Sequence, residues 1–185
     1  MNVSVRAVRA DEWAKAKELR LDALRDPAAP VAYLETYDDA LRHPDSFWRE
    51  RTRASAGGTS ARQFVAELAD GTWAGSVVVL AERRGSTDVL GERSAYDQAH
   101  LVGVFVRPEH RGAGLLKELF DAALAWAWAL EEPRVERARL YVDERNGRAR
   151  GAYRKLGFEP TGVVLPVEAD PSAREFELAV WRSSA

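Results

Sequence analysis

The chain has 185 residues, 46% hydrophobic and 30% charged, enough for one globular domain with a full core and short for two. Its net charge of −2 and pI near 6.0 argue against a nucleic-acid surface, which needs a basic excess or stripe. Zero cysteines exclude disulfides, a thiol nucleophile and thiolate metal sites, and no run approaches the roughly 18 apolar residues that cross a bilayer. The opening Met1-Asn2-Val3-Ser4-Val5-Arg6 has no signal-peptide core, so the cytoplasm is the expected compartment. His43, His100 and His110 are scattered without metal-ligand spacing.

Val3, Val5 and Ala7 alternate with Ser4 and Arg6, which predicts a half-buried strand, and Asp11 stands at a helix N-cap position. The spacing of Trp13, Ala16, Leu19, Ala23 and Leu24 predicts a helix over 12–24, ended by Asp26-Pro27. Residues 27–54 hold Tyr33, Tyr37, Phe47 and Trp48, with Asp45 or Ser46 placed to cap a second helix through Arg53. Such an aromatic cluster is either plain core or one wall of a substrate cleft. Residues 57–60 form a turn, and 63–68 and 73–81 read as strands joined by the hairpin signal Asp70-Gly71. The polar, glycine-containing stretch 82–98 reads as a long mobile connection, either a surface loop or a lid over a substrate.

Residues 101–106 are continuously apolar and β-branched, as in a strand buried on both faces, and Pro108 ends it. Arg111, Gly112 and Gly114 follow, after which Leu116, Leu119, Phe120, Ala123, Ala127 and Leu130 recur at helical spacing until Pro133. A glycine loop that opens a helix bares amides with no intrahelical partner at the positive end of the helix dipole, which makes a phosphate seat. Here the two glycines remove side chains that would block a close approach. A P-loop is ruled out because Leu115 follows Gly114, and a dinucleotide fingerprint because Lys117 stands where a third glycine or alanine belongs. A further strand, 137–142, with Ala138, Leu140 and Val142 on one face, implies a parallel crossover. In 146–158, Asn146 is placed as an N-cap and Gly157 as a C′ residue, with Ala149, Ala152, Tyr153 and Leu156 on one helical face. The tail, 161–165 and 174–181 around Asp170-Pro171, reads as a closing hairpin.

Val106-Arg107-Pro108 followed by Arg111-x-x-Gly114 resembles the acyl-CoA signature of the GNAT family of N-acetyltransferases, Arg/Gln-x-x-Gly-x-Gly/Ala. Leu116 departs from it, standing where the family has glycine or alanine, so a wider last turn of the loop is expected. Asn146, Ala149, Tyr153, Lys155, Gly157 and Phe158 match the family's second segment, one helix and one strand later. The resemblance covers nearly the whole chain and is strongest over 101–158. It implies an α/β fold of the GNAT acyl-CoA N-acyltransferase type. That fold is a central, mostly antiparallel sheet with a splayed parallel strand pair, flanked by helices, in one N-acetyltransferase domain over 1–185.

The same resemblance implies acetyl-CoA as cosubstrate and no metal. It seats the diphosphate on Arg111, Gly112, Ala113, Gly114, Leu115 and Leu116, with Lys117 adding charge, and lays the pantetheine arm along Val104, Phe105 and Val106. A backbone N–H on that strand would serve the oxyanion. Asn146 is either a donor contact or a plain helix cap. Tyr153, a phenol protonated at neutral pH, is either the general acid for the departing thiolate or a core tyrosine. The base stays open among Glu67, His100 and water, with His110 facing solvent. The implied acceptor is a primary amine of a small molecule. A protein N-terminus or lysine, or a non-catalytic CoA-binding module, are the alternatives. No nucleic acid and no membrane are expected as partners, and a homodimer is one assembly open to the chain.

Overall fold

The alternating apolar positions of the strand segments are realised in one mixed sheet with helices on both faces. The computed structural model describes residues 3–167 and 170–183. In chain order the elements are β1 (Val3–Ala7), α1 (Trp13–Arg25), α2 (Tyr37–Arg42), α3 (Asp45–Ala56), β2 (Ala61–Leu68) and β3 (Trp73–Glu82). They continue with β4 (Gln98–Val106), α4 (Leu115–Ala129), β5 (Arg137–Asp143), α5 (Gly147–Lys155), β6 (Glu159–Val167) and β7 (Asp170–Trp181). The seven strands are ordered β1-β2-β3-β4-β5-β7-β6, and β4–β5 is the parallel pair among antiparallel neighbours. No helix among the described residues is long and apolar enough to cross a membrane.

The parallel pair is a fork. β4 and β5 are in register only over Gln98–His100 against Arg137–Arg139. Beyond that, β4 follows β3 as far as Val106 and β5 follows β7 as far as Asp143, so each keeps its outer partner and loses its inner one. A bulge assists the divergence: Ser76 faces Phe105 and Val78 faces Val102, leaving Val77 opposite both Gly103 and Val104. Gly103 sits there at φ +60°, a conformation that suits glycine.

Period-two alternation divides the sheet into two chemically distinct faces. On one, Ala99, Leu101, Ala138, Leu140, Val142 and Leu178 pack with Leu115, Leu119, Phe120, Ala123 and Ala127 of α4, and Phe158 is fully buried against them. On the other, Ala16, Leu19 and Ala23 of α1 cover Val65 and Phe105. Past the helices, that second face carries Gln98, His100, Arg137, Arg139 and Glu177, all buried.

Several sequence expectations shift. The first helix begins at Trp13 with Glu12 as its cap residue, and the Glu12 carboxylate instead accepts from the Arg9 amide and pairs with Arg6. A short helix, α2, capped by Thr36 through the Asp39 amide at 3.2 Å, was not separated from the aromatic segment. Pro44 occupies the N-cap position of α3 without a side-chain hydrogen bond, and the helix starts at Asp45 and runs to Ala56. Trp48, with Leu24 and Ala40, is core, and of the four aromatics only Tyr33 lines the large cavity described below. In the tail, Val167 faces Asp170 and Asp170-Pro171 belong to β7 rather than to a turn, while residues 168–169 lie outside the described residues.

The stretch read as a mobile connection is folded. Strands β3 and β4 claim its ends, and Thr87 bridges to Arg93. The Asp88 carboxylate accepts from the amides of Leu90 and Glu92 at 2.8 and 2.9 Å and from Arg139 at 2.6 Å. Asp88→Ala is expected to cost roughly 2–4 kcal/mol in urea unfolding, because it strands these donors. It should also speed amide exchange across residues 86–92, whereas unchanged exchange there would show that Asp88 does not hold the connection.

Candidate functional site

A cavity of 720 Å³ occupies the fork and is lined by β4, β5, the start of α4, α5 and the connection after α1. On its apolar side the loop from Gly112 enters α4 at Gly114 with no side-chain cap. Among the described residues, the amides of Gly112, Ala113, Gly114, Leu115 and Leu116 have no acceptor in the protein. Gly112 and Gly114 take φ +78° and +84°, and a Cβ built at either meets nothing within 4 Å. The glycines are thus required by backbone conformation rather than by crowding from the protein, a sharper reason than the sequence suggested. Leu115 is buried, Leu116 half-buried and lining the cavity, and the Ala113 side chain is exposed away from it.

The charge near the loop is arranged differently from expectation. Arg111 lines the cavity, but its Nε donates to the Val106 carbonyl at 2.9 Å and its Nη2 pairs with the buried carboxylate of Asp26. Burial pushes Asp26 up, yet the Ala28 amide and Arg111 outweigh it and hold its carboxyl below the usual range. Arg111 is therefore a brace between β4 and the end of α1. Lys117 pairs with Asp121 on the helix surface. Among the cavity-lining cations, Arg51 of α3 faces the Trp48 ring at 5.8 Å and has no hydrogen-bond or ion-pair partner among the described residues. Arg148 and Lys155 of α5 are likewise unpartnered there. The sequence held a weak signal for them, since both belong to the Asn146–Phe158 segment.

Along β4, Arg107 N–H donates to the Ala74 carbonyl at 2.8 Å beside the pair Gly75–Val106. In an antiparallel ladder that makes Gly75–Val106 a non-hydrogen-bonded pair, so Val106 turns its backbone groups into the fork while Phe105 spends its own on β3. Phe105 also lines the cavity, but its side chain packs with α1 and its strand pairing is with Ser76 of β3. Val104 lies in the bulge, and its carbonyl accepts from the Tyr33 hydroxyl at 2.7 Å. Burial pushes the Tyr33 phenol up to about 12. Asn146 caps α5 through the Ala149 amide at 3.2 Å, and its side-chain nitrogen keeps no protein partner among the described residues.

Tyr153 stacks on Phe120 with ring centroids 5.6 Å apart, and its hydroxyl has no protein partner among the described residues. Burial pushes this phenol well above its ordinary value, with Tyr33 adding to the shift. That corrects the direction of proton flow expected from the sequence. A thiol ordinarily ionises near pKa 8.5, so a phenol above 10 surrenders its proton to a thiolate only uphill. What the geometry supports is hydrogen-bond donation.

Of the candidate bases, Glu67 is removed from consideration. It lies on β2, accepts from Trp73 Nε1 at 2.9 Å, pairs with Arg6 and Lys15, and does not line the cavity. His100, by contrast, lines the cavity at the vertex of the fork and is only 3% exposed. Its Nδ1 stands 2.9 Å from Glu82 Oε1. Burial pushes Glu82 up, but the hydrogen bond from His100 and the charge of Arg139 win and hold its carboxyl low. An ionised Glu82 accepts the Nδ1 proton and leaves the Nε2 lone pair free. His110 is half-buried at the cavity wall rather than fully in solvent. Glu175 and Asp143, neighbours across β5 and β7, also line the cavity. Nothing in the spacing pointed to either of them, because only long-range strand register brings residues 143 and 175 together.

Residues 13–158 match the model of the acetyltransferase (GNAT) family. Comparison with curated proteins finds no match. Among solved structures, an acetyltransferase of the GNAT family from Streptococcus pneumoniae is 18% identical, with 98% of this chain and 100% of that one covered and a TM-score of 0.75. The PaiA N-acetyltransferase from Thermoplasma acidophilum, solved in complex with coenzyme A, is also 18% identical, with coverages of 96% and 98% and a TM-score of 0.65. Nourseothricin acetyltransferase is 25% identical over 66% of this chain and 65% of that one, with a TM-score of 0.54. The first two identities carry likeness of fold alone. The family match itself runs from the first residue of α1, through the forked strands and the glycine loop, to Phe158 beyond α5, and the chain belongs to the acetyltransferase (GNAT) family.

Proposed function

We propose that this chain is a single N-acetyltransferase domain that moves the acetyl group of acetyl-CoA to a primary amine of a small molecule. The observation that carries the reading is the fork itself, which joins four lining residues with unpaired amides, Gly112, Gly114, Leu115 and Leu116, to a buried His100 within one cavity. The unpaired amides of 112–116 and the free cations Arg148 and Lys155 fit a diphosphate; the inward backbone of Val106 fits an amide-bearing arm. The coenzyme A complex of the Thermoplasma neighbour agrees with such a donor.

Acetyl-CoA supplies a thioester: the amine nitrogen bonds its carbonyl carbon, the carbon–sulfur bond breaks, and sulfur leaves as a thiolate. His100 Nε2 takes the proton that the amine sheds, with Glu82 fixing the imidazole through Nδ1. The Val104 amide, on a residue that the register shift leaves without a paired residue on β3, donates to the carbonyl oxygen as charge gathers there. Tyr153 Oη donates a hydrogen bond to the thiolate sulfur, and the proton held by His100 reaches that sulfur through solvent on release. Phe120, stacked on Tyr153, keeps the phenol aimed into the fork.

Tyr153→Phe is expected to lower kcat about 10- to 100-fold, the worth of one hydrogen bond to a charged atom, while acetyl-CoA affinity stays within about twofold. Because burial raises the phenol, its O–H form survives as pH climbs past its ordinary value of about 10, so no alkaline loss of kcat below that pH should be traceable to Tyr153. An alkaline limb that vanishes in Tyr153→Phe would contradict this. His100→Gln should lower kcat by about 10²- to 10⁴-fold with the melting temperature followed alongside. Gly114→Ala should weaken acetyl-CoA binding about tenfold by calorimetry, since a side chain at φ +84° costs roughly 1–2 kcal/mol and turns the amides. If coenzyme A binds but no amine in a broad panel releases thiol, the chain is a binding module and the enzyme reading fails.

A further inference from the structure

Beyond His100, on the polar face of the sheet, Glu175 stands half-buried in the cavity wall without a hydrogen-bond or ion-pair partner among the described residues. Strand register places it opposite Asp143, on the same face as Tyr141 and His100. The donor seat lies on the opposite face, with α4 and α5. Glu175 is thus on the side from which an acceptor must approach.

The cations on its own face of the sheet are already committed, and Arg51, Arg148 and Lys155, which also line the cavity, stand on α3 and α5 and form no ion pair with it among the described residues. Asp143 absorbs Arg145 through three hydrogen bonds of 2.7 to 2.9 Å, and the remaining Arg145 nitrogen reaches Asp170 at 3.0 Å. Arg137 and Arg139, the buried guanidiniums of this face, are taken by Glu177, Glu82 and Asp88. Across the cavity, Glu35 is satisfied by Arg20 and His43. Burial and the Asp143 charge push the Glu175 carboxyl upward, and His100 alone pulls it back. That is the behaviour of an acid whose counter-charge is missing. Leu34 and Val89, 56% and 63% exposed, line the same cavity with Leu90, so its wall offers apolar surface as well as the carboxylate.

We propose that Glu175 determines acceptor specificity by pairing with a second ammonium group, so that the preferred substrates are diamines or larger cationic amines with an apolar spacer. One nitrogen, neutral, meets Nε2 of His100, and the other, charged, meets Glu175. This inference rests on the amine-acetylation reading above and adds to it the chemistry of the far end of the acceptor.

The test is thiol release from acetyl-CoA by the full chain with matched pairs: hexylamine against hexamethylenediamine, and octylamine against octamethylenediamine. The parent protein should favour a diamine by about tenfold or more in kcat/KM, mainly through KM, and Glu175→Gln should shrink that advantage to about twofold by raising the diamine KM. Glu175→Asp should keep part of it. High salt should compress the preference of the parent protein itself, a readout that needs no variant. Equal kcat/KM for monoamine and diamine in the parent overturns the inference and leaves amine acetylation standing. A Glu175→Gln loss of kcat shared by both amines, with a moved pH profile, also overturns it and makes Glu175 a proton-transfer group. Failure of every amine to release thiol removes both readings together.

Discussion

The whole arrangement depends on β4 and β5 parting after three paired positions and staying parted. Unpaired strand edges inside a protein are costly, because each buried N–H and C=O needs a partner. Here the inner edge is partly satisfied from outside the sheet, by the Tyr33 hydroxyl on Val104 and by Arg111 on Val106. The vertex is fastened by side chains. Arg139 reaches Glu82 on β3, Asp88 in the following connection and Glu177 on β7, while Arg137 joins Gln98 to Glu177. Buried ion pairs seldom add net stability over apolar packing, but they fix geometry. One guanidinium that must touch three segments at once leaves little freedom in where the fork begins, and the same Glu82 carboxylate that it holds also orients His100.

The fork acquires two different sides because strand alternation continues through it. Ala138, Leu140 and Val142 face α4 and its loop, while Arg139, Tyr141 and Asp143 face the other way. A ligand lying in the gap therefore touches apolar helices and bare amides on one side and titratable groups on the other. The Gly103 bulge reverses the alternation of β4 within the gap, which puts Phe105 into the α1 packing and leaves Val104 and Val106 toward α4. A single extra residue thus determines which backbone groups the cavity can use.

What the amino-acid order revealed was local. Strand, glycine loop and helix over 101–129, and the capped helix after Asn146, are each written in contiguous residues whose spacing and turn chemistry agree, and they lie where expected. The partners of charged groups were not legible. Arg111 looked free for a phosphate until the end of α1 brought Asp26 to it, 85 positions away in sequence. Glu82 and His100 meet because β3 and β4 pair; Asp143 and Glu175 meet because β5 and β7 do. The stretch between β3 and β4 looked mobile because its composition is polar and glycine-containing, yet one aspartate, Asp88, gathers its amides and ties them to Arg139. Composition reports what a segment can bury on its own, and this segment is ordered by a charge that lies elsewhere.

The loop before α4 bears on how the proposed donor would be held. With Arg111 neutralised by Asp26 and Lys117 by Asp121, the nearest side-chain charge at the helix mouth is supplied only from α5, by Arg148 and Lys155. In the proposed role, most of the attraction for a diphosphate would then come from backbone dipoles. Two left-handed glycines stand on either side of Ala113, the amides around them are unpaired among the described residues, and the helix dipole adds to them. Such a seat is set by torsion angles rather than by a movable side chain. Its geometry is therefore fixed before any ligand arrives, which lowers the ordering cost of binding and explains why glycine is needed at two positions where a side chain would meet only open space.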